Sequence, residues 1–240
     1  MHEQTSFTKG IKDGLPICFG YLSVAFAFGI FSVKSGLSIW QALLISMTNV
    51  TSAGQLAAVP IITGGGHLLE LIVSQLVINL RYALMSVSLS QRLGQTVSSF
   101  DRYVISFMNT DEVFAVSTSN RGYVGRRYMY GLILTPFLGW SFGTFLGAGA
   151  GNILPAIIIS ALGIAIYAMF VAIVVPVASK NKPTFLCVLI AVILSCIFKY
   201  VPVLNNIKSG FTVIICACAA SVIMAVVSPV EIKEEGIENE

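Results

Sequence analysis

The sequence contains little charge. Only 10% of its 240 residues are Asp, Glu, Lys or Arg, while 56% are hydrophobic and the mean hydropathy is +0.86. A soluble domain carries about 25% charged residues, because polar side chains must cover its surface. This composition excludes a soluble enzyme and predicts an integral membrane protein. At about 20 residues per helical span, the chain could hold seven or eight spans.

Other absences narrow the function. The chain has two histidines and five cysteines, and none of them has the spacing of a metal site or a disulfide framework. Its net charge of +3 comes without a basic run, which excludes a nucleic-acid footprint. HExxH, GxSxG and phosphate-loop motifs are missing. We therefore predict that the protein is not an enzyme, has no catalytic residues, and binds no metal, cofactor, nucleotide or nucleic acid.

Charged residues divide the sequence into apolar blocks, which predict an all-α, polytopic membrane helix bundle. We treat residues 1–240 as a single membrane domain with polar tails at 1–13 and 231–240, the latter predicted to be cytoplasmic. The predicted spans are Gly14–Val33, Ser35–Leu69, Leu68–Gln91, Tyr103–Ser119, Tyr128–Ala148, Leu154–Ser179, Pro183–Phe198 and Gly210–Val230.

Two of these blocks are unusual. Ser35–Leu69 is too long for one straight span and contains Pro60 and several glycines, which predicts a second span broken near its middle. Tyr103–Ser119 is short and carries Asp111 and Glu112. If it crosses, the protein has eight spans, and if it does not, seven; the distribution of Lys and Arg allows both.

A weak similarity between two segments of the chain predicts a candidate inverted repeat. Gly14-Leu15-Pro16 begins the first segment, and 46 positions separate Gly14 from Pro60. Gly131-Leu132 begins the second, and 45 positions separate Gly131 from Pro176. With seven spans these units have opposite orientations, as in many transporters whose site lies near the membrane midplane. Chance similarity between glycine-rich helices is an equal alternative.

Arg81 lies near the middle of the third predicted span, about 15 to 20 Å from either end at 1.5 Å per residue. An arginine at this depth costs at least about 2.5 kcal/mol, so we expect it in the bundle interior beside an acceptor. It could be locked to a carboxylate only for packing, or it could lie near a substrate path. Asn79 and Gln75 belong to a second polar stripe on the same helix.

Polar residues of the second span surround Gly54: Asn49, Thr51, Ser52 and Gln55. A helix broken here would offer backbone groups to a zwitterionic substrate, its N-terminus favouring a carboxylate. The same small residues could instead form a close helix-packing face. We weigh these two interpretations equally.

Asp111 and Glu112 follow Thr110, which could cap a helix that begins with these acids. In a functional interpretation, one of the two acids pairs with Arg81 or with a substrate ammonium. It could also carry a coupling proton.

These motifs together resemble the AzlC/YgaZ family. The matching features are a first span with Gly20, the run Thr51-Ser52-Ala53-Gly54-Gln55, the segment Asn79-Leu80-Arg81-Tyr82-Ala83-Leu84-Met85, and Thr110-Asp111-Glu112-Val113-Phe114. Their order and spacing agree with the family over nearly the whole chain. Tyr82 stands where members often have His.

The resemblance implies the large subunit of a two-component exporter of branched-chain amino acids and analogues. It would be a secondary transporter of the bacterial cytoplasmic membrane, with a proton as candidate coupling ion and a small AzlD/YgaH-like membrane subunit as partner. From the residues themselves, our hypothesis is that Arg81 and the backbone near Gly54 and Gln55 bind the substrate carboxylate, and that Asp111 or Glu112 binds its ammonium or carries the proton. A transporter or channel for another small solute is the main alternative, and an intramembrane enzyme or assembly subunit is a weaker one.

Overall fold

The computed structural model describes residues 3–120, 122–151, 153–155, 157, 171, 174–176, 178–202, 204, 207 and 209–228. Helices predominate among them, as the all-α prediction requires. They belong to two compact units, Met1–Ala168 and Met169–Glu240. The elements of the first unit are β1 (Glu3–Gln4), α1 (Phe7–Lys34), α2 (Ile39–Thr48), α3 (Ser52–Thr63), α4 (Leu68–Ser90), α5 (Ser99–Phe107), α6 (Asp111–Thr118), β2 (Tyr123–Val124) and α7 (Arg126–Ala150).

A small parallel sheet marks one end of the first unit. Glu3 pairs with Tyr123 and Gln4 with Val124, so the strands bring the starts of α1 and α7 together. Leu93, just after α4, also pairs with Val124, which places the end of α4 here too. We call this the sheet end, and the other end, where α1 finishes, the far end. The segment 1–13, predicted as a polar tail, therefore contains β1 and the first turns of α1.

Helices α1 and α7 pack side by side in the same direction. A Cβ at Gly10 would overlap the backbone of Tyr128, and a Cβ at Gly147 would overlap that of Phe26. Contacting residues thus have increasing numbers in both helices, which shows that the helices are parallel. Since only glycine lets backbones approach this closely, the glycines explain the tight pairing.

The predicted broken second span consists of α2 and α3, but together they form a re-entrant hairpin that does not cross. Leu37, before α2, and Val59, within α3, lie in one buried cluster with Phe28 of α1. Gln55 of α3 donates a hydrogen bond of 2.8 Å to the Ser46 hydroxyl of α2. Hence α3 returns to the far end, where α2 began, and we call this pair hairpin 1.

The interpretation of Ser35–Leu69 as one crossing is therefore corrected. The helix breaks between Thr48 and Ser52, and the chain reverses there. Gly54 and Pro60, the predicted breakers, both lie inside α3. Pro60 lies in the second half of α3, where proline removes one helical hydrogen bond. Re-entrant backbone is tolerated at membrane depth where protein buries it.

The block Tyr103–Ser119 also forms a hairpin, hairpin 2, made of α5 and α6. In α5, Asp101 accepts hydrogen bonds from Arg126 at 3.0 Å and from the Tyr130 hydroxyl at 2.8 Å. Just after α6, the Asn120 amide donates to the Tyr128 hydroxyl at 2.9 Å. Both ends of hairpin 2 thus lie at the start of α7, at the sheet end. The alternative in which this block does not cross is the one that these contacts support.

The first unit therefore has an inverted arrangement, although not the predicted one. Helix α1 runs to the far end and is followed by a hairpin that enters from there. Helix α4 runs back to the sheet end and is followed by a hairpin that enters from that end. The predicted repeat matched α1 with α7, which run parallel, so those two helices are not inverted copies.

The second unit contains α8 (Lys182–Tyr200) and α9 (Ser209–Val227), which contact each other. Five described helices are long and apolar enough to cross a membrane: Phe7–Lys34, Leu68–Ser90, Arg126–Ala150, Lys182–Tyr200 and Gly210–Val227. Most of the predicted span Leu154–Ser179, and the tail 231–240, lie outside the described residues.

Labelling of introduced cysteines tests the two hairpins. In a variant whose five native cysteines are replaced by alanine, a cysteine at Lys34 or at His67 flanks hairpin 1. A membrane-impermeant maleimide should label both from the same side of the membrane. Cysteines at Gln95 and Ser119, which flank hairpin 2, should both react from the other side. Labelling of Lys34→Cys and His67→Cys from opposite sides would show that α2 and α3 cross.

Candidate functional site

The two hairpin tips approach each other beside α4 and enclose a cavity of about 190 Å³. Tip 1 is Asn49–Thr51 and tip 2 is Met108–Thr110. The cavity is lined mainly by polar residues from both tips and from α4: Thr48, Asn49, Val50, Thr51, Asn79, Tyr82, Ser106, Phe107, Asn109 and Thr110.

Each tip ends at the start of a helix. Thr51 precedes α3 and Thr110 precedes α6, and neither side chain caps its helix with a hydrogen bond. The first N–H groups of a helix have no partner within the helix, and they carry the positive end of its dipole. Two helix starts of this kind therefore border the cavity. The start of α3 has no acidic residue and favours an anionic group, whereas Asp111 and Glu112 in the first turn of α6 already offset its positive end.

A hydrogen-bond network from Gln75 of α4 holds tip 1. The Gln75 amide nitrogen donates to the Gly54 carbonyl at 2.9 Å, and its oxygen accepts from Asn49 at 3.0 Å and from Asn79 at 3.2 Å. The Thr51 hydroxyl donates to the Asn49 side-chain oxygen at 2.8 Å. Tip 1 is thus fixed to α4 by side-chain amides.

Tip 2 contacts α4 through Asn109, whose amide nitrogen donates to the Ser86 hydroxyl at 3.1 Å. Asn109 is only 2% exposed and Thr110 only 5%. Among the described residues, the Asn109 and Asn79 side-chain oxygens have no hydrogen-bond partner. A buried polar atom without a partner costs about 1–3 kcal/mol, so these two atoms indicate a place for a polar ligand.

Arg81 and Asp111 form an ion pair beside the cavity, with 2.8 Å between Nη1 and Oδ2. The guanidinium also donates to the Tyr82 hydroxyl at 3.1 Å and lies 4.8 Å from the centre of its ring. Tyr82 and Thr110, the neighbours of these two charged residues, line the cavity. The structure thus gives Arg81 the expected acceptor, and the two charges balance each other. The Arg81 side chain is 56% exposed, however, so the expectation that it lies in the bundle interior is wrong for the described residues.

Two residues predicted for the site have other contacts. Glu112 accepts a hydrogen bond of 2.5 Å from the Tyr21 hydroxyl of α1, and Tyr21 packs edge-on against Trp140. Gln55 is fully buried and bonds to Ser46, whose hydroxyl lies 2.6 Å from that of Thr144. Glu112 therefore anchors hairpin 2 to α1, and Gln55 links both arms of hairpin 1 to α7.

Comparison with known proteins gives a family. A family model described as AzlC protein matches residues 16–154, more than half of the chain. The protein belongs to the AzlC family. An inner membrane protein of Escherichia coli K12, YgaZ, is 30% identical over 92% of this chain and 91% of its own. An uncharacterized membrane protein of Archaeoglobus fulgidus is 32% identical over 73% and 78% of the two chains. No solved structure matches.

The part of the chain that matches the AzlC family contains both hairpins, α4 and the whole cavity. Of the predicted site residues, Asn49, Thr51 and Asn79 line this cavity. Ser52 and Gly54 do not line it and lie in the first turn of α3. A Cβ at Gly54 would overlap the Thr51 hydroxyl and come within 2.6 Å of the Gln75 side-chain oxygen, so a larger residue here would displace the side chains that hold tip 1.

Several residues that line the cavity of this AzlC protein were not predicted as site residues from the sequence: Thr48, Val50, Tyr82, Ser106, Phe107, Asn109 and Thr110. One signal could have found tip 2. Asn49-Val50-Thr51 and Asn109-Thr110 are both short Asn-to-Thr runs that precede a helix, and each follows a helix of about ten residues. Each run ends one re-entrant arm and starts the next.

Proposed function

We propose that the protein is a secondary transporter that exports branched-chain amino acids, leucine, isoleucine and valine, and their analogues. Membership of the AzlC family and the membrane proteins among its relatives support a membrane transporter. The observation that carries the proposal is the cavity between two hairpins that enter from opposite ends, since most of the residues that line it have polar side chains. Transporter sites commonly lie at such an interface of inverted elements, where broken helices offer their ends to the substrate.

The lining of the cavity suits a small zwitterion with an apolar side chain. The start of α3, which has no acidic residue in its first turn, favours the carboxylate, in place of Arg81, which is already paired with Asp111. Val50 and Phe107 provide apolar wall for an aliphatic side chain. The Arg81–Asp111 pair is then a candidate for proton coupling, because protonation of Asp111 would release Arg81.

The hairpins also offer a route for alternating access. Movement of hairpin 1 would open the cavity toward the far end, and movement of hairpin 2 would open it toward the sheet end. Neither movement requires a crossing helix to leave the bundle. Export then consists of opening hairpin 2 and hairpin 1 in turn around a fixed α4.

We place the protein in the bacterial cytoplasmic membrane with the sheet end in the cytoplasm. Between residues 3 and 151, Lys34 is the basic residue described at the far end, while several lie at the sheet end: Lys9, Lys12, Arg92, Arg102, Arg126 and Arg127. Cytoplasmic loops are enriched in Lys and Arg, which supports this orientation. Hairpin 2 would then face the cytoplasm. The tail 231–240 remains predicted as cytoplasmic.

Flux in reconstituted vesicles tests the proposed function. The purified protein, alone and with a small AzlD/YgaH-like subunit, is incorporated into liposomes loaded with radiolabelled leucine, isoleucine, valine or methionine. We expect saturable efflux of these amino acids above that of protein-free liposomes, and faster efflux with the partner subunit and with a pH gradient. Lack of flux of all four amino acids in both preparations would reject the proposal. Flux that does not saturate would indicate a channel instead.

A further inference from the structure

We propose that the side-chain amides of Asn79 and Asn109 bind the substrate ammonium. The protein thereby selects neutral zwitterions, and its site uses no unpaired carboxylate of its own for this purpose. This inference rests on the proposed function. It replaces the expectation that Asp111 or Glu112 receives the ammonium. The two asparagines lie on different elements, Asn79 on α4 and Asn109 on tip 2, and both line the cavity.

The hydrogen-bond network fixes the orientation of the Asn79 amide. The Gly54 carbonyl can only accept, so the Gln75 nitrogen faces it and the Gln75 oxygen faces Asn79. Asn79 must therefore donate to Gln75 with its nitrogen, and its oxygen remains buried without a partner among the described residues. An acceptor held in this way is available to a donor from a ligand.

Asn109 provides the second acceptor. Its nitrogen donates to Ser86, and its oxygen is buried without a partner among the described residues. Thr110, also buried, brings a hydroxyl next to it. An ammonium group is purely a donor with three N–H bonds, and it matches two amide oxygens and a hydroxyl.

The charges around the cavity support an uncharged site. No Asp, Glu, Lys or Arg belongs to its lining. The nearest charged residues in sequence, Arg81 and Asp111, bind each other at 2.8 Å, and Glu112 accepts from Tyr21. An amino acid whose side chain carries its own charge would find no counter-charge here, and burial of an unpaired charge is unfavourable. Lysine and glutamate should therefore bind at least about tenfold more weakly than leucine.

Calorimetric titration of the purified protein with leucine and two analogues tests the inference. 4-Methylpentanoate is leucine without its ammonium, and 3-methylbutylamine is leucine without its carboxylate. Asn79→Ala and Asn109→Ala should each weaken leucine binding by about tenfold or more, the usual range for a hydrogen bond to a charged group, and leave 4-methylpentanoate binding unchanged. In Asn109→Asp, the Ser86 hydroxyl can still form the hydrogen bond by donating to the new carboxylate. The added negative charge should strengthen 3-methylbutylamine binding and weaken 4-methylpentanoate binding.

Controls separate the inference from the proposed function. Asn181→Ala, which removes a helix cap outside the cavity lining, should not change any of the affinities. Equal weakening of leucine and 4-methylpentanoate binding in both alanine variants would overturn the inference, while flux of wild-type protein would leave the proposed function standing. Folding of each alanine variant is judged by its elution volume in size-exclusion chromatography and by its melting temperature. If only one variant folds, the comparison of leucine with 4-methylpentanoate binding is made in that variant alone.

Discussion

Replacement of Arg81 by Gln should lower leucine efflux at least about tenfold while leaving the amount of protein in the membrane unchanged. Without the guanidinium, the Asp111 carboxylate has no counter-charge in the membrane interior, and Tyr82 loses a hydrogen-bond donor at the cavity wall. A tenfold effect corresponds to about 1.4 kcal/mol, well below the cost of breaking a fully buried pair. The expected loss is this small because both side chains are about half exposed, so solvent screens their interaction. The rate of leucine efflux from proteoliposomes measures the loss.

Charge reversal provides the internal control for the pair. Arg81→Asp combined with Asp111→Arg should recover part of the efflux that either single change removes, because the pair itself is restored. Arg92→Gln, at the sheet end, removes an arginine that does not line the cavity and should keep wild-type efflux. Wild-type efflux of Arg81→Gln would exclude a role for the pair in transport.

Replacement of Gly147 by Ala should destabilise the protein by about 1–3 kcal/mol or more. A Cβ at this position would overlap the Phe26 carbonyl of α1, and a backbone group cannot move aside as a flexible side chain can. The two parallel helices would have to separate, which would disturb every contact between them. The melting temperature in detergent, followed by tryptophan fluorescence, measures the effect.

Gly149, in the same helix, is the matched control. A Cβ at this position would meet nothing within 4 Å. Because alanine favours a helix over glycine by about 1 kcal/mol, Gly149→Ala should leave the melting temperature unchanged or raise it. The two substitutions should thus act in opposite directions. Equal melting temperatures of both variants would contradict the importance of the close α1–α7 contact.

The class of the protein could be predicted from its sequence, because scarce charge and long apolar blocks require a membrane environment whatever the fold. The need of Arg81 for an acceptor could be predicted for the same reason. The re-entrant course of the two hairpins could not. A crossing helix and a re-entrant helix are equally apolar, and the difference depends on contacts such as Ser46 to Gln55, between residues on either side of the reversal.

The candidate site was predictable in part. Asn49, Thr51 and Asn79 were notable as polar residues in apolar surroundings, and all three line the cavity. Gln55 was notable for the same reason but serves as a link between buried helices, since periodicity cannot tell a ligand-facing amide from one that bonds to a neighbour. Asn109 was not predicted as a site residue, because only the fold of hairpin 2 brings it into the same cavity as Asn79.

The contacts of α7 determine the order in which the protein can assemble during synthesis. Hairpin 1 bonds to Thr144, and hairpin 2 bonds to Arg126 and Tyr128, so both depend on a helix that follows them in the chain. Their arms, of 8 to 12 residues, are too short to be inserted as spans on their own. A nascent chain that ends before α7 therefore has α1 and α4 to place in the bilayer but no completed cavity. Synthesis of α7 is the step at which the transport site can first form.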